Sequence, residues 1–497
     1  MKVVLAGYNV DKEVLDELKG QSAPRLDVTP ETLSAAYARI SRDPRPADAL
    51  RRAAREEVEK ARRSNRAIIF KMGHHSVAEH AVFNFDIIGA SRLAIEEIER
   101  FRLCSYTEKS QRYITLGSDY IVPAEIRDAG EERLFVKIIR AQNALYHAFF
   151  GKLRPLVFAQ NPGLARDPKK HNLLEGWAKE DARYIVSLAT EGQLGMTVNA
   201  RNLELMIRRF ASSPLAEIRD FGRRLHDLAA DIAPSIVLFT TASDFEAKAY
   251  GEFAAAAARA LKGGDKRRAS ADSVKLIEVS RRGDDTILAA LLHSVSTLTH
   301  EDCRARVKTL DRDDKKTLFR AAFARMEFYD FPHREFEYAD LTFELILSAS
   351  AFAQLKRHRM ATLTRQDYDP NLGVTVPPSI EAVGAMKEFM DMIGRTDEAY
   401  KMLKTKAGGA AAYVLTNAHR RRALLKINAR ELTHVSRLRE DATAQWDIRD
   451  LTARMTALAR KEMPLSFMMA GGKDRYPRIY EKIFGKSPAR LPPDLKK

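Results

Sequence analysis

The side chains of this sequence with the clearest chemical potential are arginines grouped with serines and histidines. One group reads R-F-R-L-C-S-Y-T-E-K-S-Q-R-Y from Arg100, and a second reads Q-L-K-R-H-R from Gln354. Arginine carries a planar, permanently charged fork that contacts phosphate or carbonyl oxygens at two points. Arginine clusters on helices are more often solvated or paired with acids than bound to a ligand. The residue types therefore suggest anion binding, and the surrounding pattern must decide it.

The composition restricts the class of protein. The 497 residues are 45% hydrophobic and 30% charged, which is typical of folded globular domains. The net charge of +16 favours anionic partners, whether nucleic acid, an acidic membrane surface or phosphorylated small molecules. The basic stretches 266–268 and 420–422 are expected to be solvated helix faces or linkers.

Targeting and redox features are sparse. Cys104 and Cys303 lack the spacing of a disulfide framework or a zinc site, so neither a disulfide nor a metal is expected. No stretch approaches the roughly 20 apolar residues that span a bilayer, and the first residues do not resemble a secretion signal. We expect a cytoplasmic protein that does not act at a membrane.

The periodicity of apolar residues predicts mixed α and β structure. Residues 2–8 and 83–87 are strand-like, whereas residues 11–18, 48–66 and 90–100 are helix-like. Between about 250 and 271 the composition shifts to an alanine run and a basic polar stretch. We therefore predict one domain over 1–250, a linker over 251–271 and a second domain over 272–497, which begins with a strand at 274–279.

Three motifs occur in both predicted domains in the same order. Glu79-His80-Ala81 has a counterpart in Glu337-Tyr338-Ala339, Arg100-Phe101-Arg102 in Arg357-His358-Arg359, and Asn199-Ala200-Arg201 in Asn428-Ala429-Arg430. Chance matches would not be expected to preserve their order. The chain is interpreted as a divergent duplication.

The first copy resembles the flavin-dependent thymidylate synthases. Arg100, Arg102, Ser105, Ser110 and Arg112 match that family's signature R-H-R-x-x-S-x-x-x-x-S-x-R, with Phe101 in place of its histidine. The stretches H-H-S-V-A-E-H from His74 and G-A-S-R from Gly89 also resemble the family. The resemblance implies an α+β fold of two tandem domains, each with an antiparallel or mixed sheet packed with helices.

The second copy resembles the family through its R-H-R turn and through N-A-R-E-L-T-H-V-S-R-L-R from Asn428. Its signature then decays, because Asp367 and Asp369 occupy the places of the second serine and the last arginine. The first copy instead has Glu97 where the family has glutamine. Each copy thus retains residues that the other has lost, which implies one working nucleotide site supplied by both.

The resemblance assigns roles to particular residues. For dUMP these are Gln354, Arg357, Glu108, Ser110, Gln111, Arg112, Arg183 and Arg439. Catalytic roles fall to Ser110, Arg439 and His74. For FAD they are Ser76, Arg357, His358, Arg359, Glu108, Asn199, Arg201, Asn428, Arg430 and His434, and spacing does not settle which N-A-R copy contacts the flavin.

The implied reaction transfers a methylene group from methylenetetrahydrofolate to C5 of dUMP and reduces it with FADH2 to give dTMP. NADPH would regenerate the flavin, and a homodimer would mimic the family's tetramer. Two alternatives remain: a flavoenzyme that modifies another pyrimidine nucleotide, and an inactive basic protein on the same scaffold that binds nucleic acid. The second alternative predicts no bound flavin and salt-sensitive binding to RNA or DNA; for the enzyme, nucleic acid is not an expected partner.

Overall fold

The strands form two four-stranded antiparallel sheets in a computed structural model that describes residues 1–18, 28–112, 114–262 and 272–491. The first sheet contains β1 (Lys2–Tyr8), β2 (Val82–Ser91), β3 (Cys104–Glu108) and β4 (Glu191–Asn199) in the order β1-β2-β4-β3. The second contains β5 (Val274–Val279), β6 (Asp340–Ser348), β7 (Thr362–Tyr368) and β8 (Arg420–Asn428) in the order β5-β6-β8-β7. The two copies therefore have the same strand order, and the predicted tandem α+β fold is confirmed.

Helices surround both sheets. In the first copy they are α1 (Lys12–Leu18), α2 (Glu31–Arg39), α3 (Ala47–Glu56), α4 (Val58–Asn65), α5 (Arg92–Ile98), α6 (Ala124–Asp128), α7 (Glu132–Gln160), α8 (Pro162–Ala165), α9 (His171–Ala182), α10 (Ala200–Ala211), α11 (Ala216–Ala230) and α12 (Asp244–Ala260). In the second copy they are α13 (Gly283–Ser294), α14 (His300–Thr309), α15 (Arg312–Phe323), α16 (Ala349–Leu355), α17 (Pro378–Ala382), α18 (Met386–Ala407), α19 (Ala429–Arg439), α20 (Trp446–Glu462) and α21 (Tyr476–Phe484).

Short 3-10 turns connect many of these elements. They cover His75–His80, Pro168–Lys170, Arg183–Ile185, Arg334–Tyr338, Pro370–Leu372, Gly408–Val414 and Lys473–Arg475, and a π-helical turn covers Arg66–Lys71. The helix predicted over 48–66 is interrupted at Glu57, whose backbone leaves the helical region.

Alternation of apolar residues gives β2 and β6, which are central strands, one buried face each. Phe83, Phe85 and Ile87 of β2 are buried, while the residues between them face outward. Leu341 and Phe343 of β6 repeat this pattern. Each buried face packs against helices of its own copy, α10 and α11 for the first sheet and α19 and α20 for the second. The result is one hydrophobic core for each sheet.

Details of register support the duplication. The pairing of β1 with β2 shifts between Leu5 and Gly7, and the pairing of β5 with β6 shifts between Leu276 and Glu278, the matching position. The first copy has one residue more between its E-x-A and R-x-R motifs than the second. A register shift in β2 at Gly89, whose φ is 75°, accommodates that residue.

The compact units do not follow the two copies strictly. Unit one comprises Met1–Lys266 and Ser379–Thr416, and unit two comprises Arg267–Pro378 and Asn417–Lys497. Within unit one, α18 packs beside α7: Gln142 donates to Thr396 Oγ1 at 2.9 Å, and the rings of Phe149 and Phe389 stack at 6.0 Å. A helical segment of the second copy thus completes the first unit.

The predicted boundary 251–271 stays a prediction. Its alanine run lies in α12, and residues 263–271, which include the basic stretch 266–268, lie outside the described residues. The expectation for 420–422 was wrong, because these residues begin β8 and Arg421 is only 2% exposed. Its guanidinium lies 3.6 Å from the ring centre of Tyr368 and 4.8 Å from that of Phe352, which compensates for its burial.

Candidate functional site

The first helix after the central strand begins in the same way in both copies. Ser91 accepts a hydrogen bond from the backbone N–H of Ala94 at the start of α5, and Ser348 accepts one from Ala351 at the start of α16. A serine in this N-cap position stabilises a helix by about 1 kcal/mol. The cap fixes where each helix begins. The R-x-R motif follows the last turn of the same helix.

In unit two this arrangement creates a polar cluster. Arg439 Nε donates to His358 Nε2 at 2.9 Å, and Arg439 Nη2 donates to the backbone oxygen of Gln354 at 3.3 Å. The side chain of Gln354 in turn donates to Gln445 Oε1 at 3.5 Å. Three residues predicted from two widely separated motifs therefore lie together.

Burial controls the protonation of this cluster. Desolvation, assisted by the charge of Arg439, lowers the pKa of His358 well below its usual value, so the ring is neutral at pH 7. His434 lies 5.9 Å from His358 between ring centres, and burial also lowers its pKa. Burial raises the pKa of Glu431 to about 7. Glu431 was not among the residues predicted from the sequence.

The equivalent positions of the first copy are apolar. Phe101 stands where His358 does and Phe210 where Arg439 does, and their rings meet edge to face at 5.3 Å. Glu97, at the position of Gln354, instead forms an ion pair with Arg100 at 2.9 Å. The polar pair of the second copy has become an aromatic pair in the first, so the first copy cannot repeat the cluster.

The loop after β3 in unit one supplies a second group of predicted residues. Ser110 Oγ accepts the backbone N–H of Arg112 at 3.2 Å, which shapes the turn. Arg112 forms an ion pair with Glu180 at 3.0 Å, and Arg183 Nε donates to the backbone oxygen of Glu180 at 3.3 Å. Glu180 therefore brings the two predicted arginines together, a role that sequence reasoning missed.

Arg183 is 8% exposed, and desolvation lowers its pKa from the usual value without making the guanidinium neutral at pH 7. A buried guanidinium is a strong donor because little water competes for it. Nearby, Glu108 and Gln111 border a small cavity together with Arg92 and Thr190. Arg92 is 3% exposed and lies 3.3 Å from Glu96, and it was not predicted as a site residue.

In the second copy, Asp369 occupies the position of Arg112 and has a structural role. Its side chain accepts the backbone N–H of Asn371 at 2.9 Å and caps the 3-10 turn Pro370–Leu372. Asp367 is exposed. The decayed signature of this copy has thus been converted into a capped turn.

The two N-A-R motifs have matching structural contacts. Asn199 and Asn428 cap α10 and α19 through their side-chain oxygens. Arg201 pairs with Glu79 at 2.5 Å, and Arg430 pairs with Glu337 at 3.2 Å, so each arginine contacts the E-x-A motif of its own copy. These contacts account for the motif in both copies, and a flavin role for either copy stays a prediction.

The remaining predicted residues lie near the surface. Arg357 and Arg359 are exposed on either side of the buried His358. His74 and Ser76 are exposed beside and within the 3-10 turn His75–His80 before β2. The structure therefore groups Gln354, His358 and Arg439 in one unit and Ser110, Arg112 and Arg183 in the other.

Metal ligands, cysteines and membrane-spanning helices are three further features that bear on function. The described residues contain no group of histidine, cysteine and acidic side chains able to hold a metal ion. Both cysteines are buried and unbridged. None of the described helices combines the length and apolarity that a membrane span requires.

Comparisons with known proteins detect the same duplication. The family described as "Thymidylate synthase complementing protein" matches residues 26–235 and again residues 275–465. A UPF0159 protein of Thermoplasma acidophilum is 23% identical in an alignment of 435 residues that covers 78% of this chain and 84% of the relative. A UPF0159 protein of Chlamydia muridarum is 24% identical in an alignment of 418 residues that covers 80% of this chain and 78% of the relative.

Shorter relatives match about a third of the chain. A flavin-dependent thymidylate synthase of Clostridium tetani is 28% identical over 176 residues, which are 35% of this chain and 68% of the relative. A solved structure of a UMP/dUMP methylase from Streptomyces cacaoi, bound with 5-Br dUMP, aligns with a TM-score of 0.31 and 17% identity over 39% of this chain and 92% of its own.

Proposed function

The chain belongs to the thymidylate synthase complementing protein family, and from that premise we propose that it is a flavin-dependent methyltransferase that converts dUMP to dTMP. The observation that carries the proposal is the cluster of Arg439, His358 and Gln354. It holds a guanidinium in a fixed orientation beside two exposed arginines, as recognition of an anionic pyrimidine nucleotide requires. Methylenetetrahydrofolate would donate the methylene group.

Arg112 and Arg183 would complete the nucleotide-binding set. Both carry a positive charge, and Glu180 holds them in place through its side chain and backbone. A nucleotide phosphate could compete with the Glu180 carboxylate for Arg112, whereas the buried Arg183 would serve as a fixed donor. Because each copy retains only part of the set, we propose that the chain carries one complete set of nucleotide-binding residues.

The residues of unit two fit a flavin dinucleotide by their chemistry. Arg357 and Arg359 are exposed cations suited to a diphosphate. Close to His358, the half-buried His434 packs against the exposed ring of Phe331 at 4.8 Å between centres, a surface suited to an aromatic ring system. When bound, the flavin would supply the reducing equivalents, with NADPH as their source.

The protein's own residues would contribute positioning and charge. Arg439, held by His358 and by the Gln354 backbone, would stabilise negative charge on the pyrimidine as its C5 becomes nucleophilic. The Ser110 turn would orient the nucleotide through its backbone and hydroxyl. No cysteine nucleophile is needed in this account, and Cys104 lies buried in β3.

The purified full-length chain tests this function. We expect flavin absorbance between roughly 350 and 500 nm that changes on addition of dUMP, together with release of tritium from dUMP labelled at C5 when methylenetetrahydrofolate and NADPH are present. Activity confined to another pyrimidine nucleotide would mean that this nucleotide, and not dUMP, is the substrate. A chain without flavin whose binding to RNA or DNA falls steeply with salt would refute the enzyme.

A further inference from the structure

The cluster around His358 extends to a carboxyl group for which the proposed reaction has no role. Glu431 Oε1 lies 3.8 Å from His358 Nδ1, on the side of the ring opposite Arg439. The Glu431 side chain is 11% exposed and that of His358 is 4% exposed. A histidine is thus buried between a carboxyl and a guanidinium.

The contact with Arg439 is compatible with only one neutral form of His358. Arginine has only N–H donors, so the Nε2 atom that receives the Arg439 Nε–H at 2.9 Å must present its lone pair. The neutral ring then carries its proton on Nδ1. Glu431 Oε1 lies on that side of the ring, 3.8 Å from Nδ1, which is close enough for electrostatic attraction and beyond direct hydrogen-bond distance.

The backbone explains why Glu431 occupies this place. Its N–H donates to the side-chain oxygen of Asn428 at 2.8 Å, so the capped first turn of α19 fixes where the side chain begins. Arg430 on the same helix turns away to Glu337 and the Pro332 carbonyl. The other charged or titratable groups around the pair are Arg357 beside His358, and His434 and Arg439 on α19.

The first copy has lost this whole arrangement together. Asn202 stands at the position of Glu431, Phe101 at that of His358 and Phe210 at that of Arg439. Asn202 bonds locally to the Asn199 side chain at 2.8 Å rather than to Phe101. The acid, the imidazole and the guanidinium therefore occur together in one copy and are replaced together in the other.

We propose that Glu431 is a positioning residue: it holds His358 in the Nδ1-protonated form, so that Nε2 anchors Arg439 in the orientation that binds the nucleotide. The nucleotide part of this inference rests on the proposed function. Glu431 itself contacts neither substrate nor flavin in this account and acts only through His358. Its removal should therefore alter the state of His358 and, as a consequence, the affinity for dUMP.

The direct test is a measurement of the His358 tautomer in the full-length chain. Histidine labelled with nitrogen-15 gives long-range proton–nitrogen correlations that distinguish the two neutral forms, and a His358→Gln variant assigns the signal. We expect a proton on Nδ1 in the wild-type chain and in Glu431→Gln, which retains a carbonyl acceptor. In Glu431→Leu we expect the Nδ1-protonated form of His358 to no longer predominate. We also expect the affinity for dUMP to fall about tenfold.

Asn202→Leu is the matched control, since it introduces leucine at the equivalent position of the first copy. It should leave both the His358 signal and the dUMP affinity unchanged. A proton on Nε2 in the wild-type chain, or an unaltered tautomer in Glu431→Leu, would overturn the inference. Absence of dUMP binding by the wild-type chain would refute the proposed function, and the tautomer would still decide the role of Glu431.

Discussion

At the scale of residues, the two copies differ by coordinated replacements. Where the second copy joins His358 to Arg439, the first packs Phe101 against Phe210. Each pair joins the R-x-R motif of its copy to the helix that begins at N-A-R. A single change would have left a buried arginine facing a phenyl ring or a histidine without its donor, either of which is costly. The divergence therefore removes the polar cluster from one copy while that copy keeps a packed core.

The motif residues could be predicted from the sequence, but their partners could not. Glu180 contacts Arg112 from a distance of 68 positions along the chain, and Glu431 lies 73 positions from His358. Nothing in local spacing connects such residues, because tertiary packing alone brings them together. The place of Glu180, Glu431 and Arg92 in the candidate site could therefore be recognised only from the structure.

The raised pKa of Glu431 predicts an effect of pH on stability. Burial raises the pKa to about 7, whereas an unfolded chain has the ordinary value of about 4.3. Between these values the folded state holds a proton that the unfolded state has released, so this stabilisation is present below about pH 4.3 and is lost as the pH rises through about 7. The Tm of Glu431→Gln relative to wild type should rise by a few degrees, on the order of 3 °C, between pH 5.5 and 8.5.

Thermal unfolding at four pH values in this range measures the effect. Glu388→Gln is the control, since Glu388 forms an exposed ion pair with Lys152 and its removal should leave the pH dependence unchanged. Parallel curves for wild type and Glu431→Gln would show that the carboxyl does not titrate in this range.

At the scale of elements, sequence periodicity identified the central strand β2 and the edge strand β5 and missed several helices. The alternation that buries Phe83, Phe85 and Ile87 is a local property, and β2 and β5 were found where it predicts them. The alanine-rich stretch resembled a linker, yet Ala254 lies in α12, which begins with a capping box at Ser243. Alanine-rich sequence is compatible with a linker and with a helix. The capping residues at the start of the segment favour the helix.

The cap of α16 provides a test at this scale. Ser348 accepts the N–H of Ala351 at 3.0 Å and donates its hydroxyl proton to Asp447 Oδ2 at 2.5 Å. Ser348→Ala should lower the free energy of unfolding by about 1–2 kcal/mol and also weaken dUMP binding, because α16 carries Gln354 and positions the R-H-R turn. Denaturant unfolding and calorimetric titration measure the two effects.

Ser243→Ala is the matched control, because it removes the cap of a helix that carries no candidate site residue. It should affect stability and leave dUMP affinity unchanged. An equal loss of affinity in both variants would mean that α16 has no particular role in nucleotide binding.

At the scale of the whole molecule, the sequence predicted the duplication but not the composition of the compact units. The segment Ser379–Thr416 belongs to the second copy by its position in the sequence and to unit one by its packing. The contacts of Gln142 with Thr396 and with the Val414 carbonyl join residues 254 and 272 positions apart. Sequence patterning reports which face of a helix is apolar and does not report which distant face will cover it.

The duplication leads to the central claim that the chain has one complete set of nucleotide-binding residues. Calorimetric titration of the flavin-loaded, full-length chain with dUMP tests it most directly. We predict one dUMP per chain, with binding lost in both Arg112→Ala and Arg357→Ala and retained in Arg100→Ala, whose side chain is 63% exposed and pairs with Glu97. Two dUMP molecules per chain, or equal losses from all three substitutions, would contradict the account.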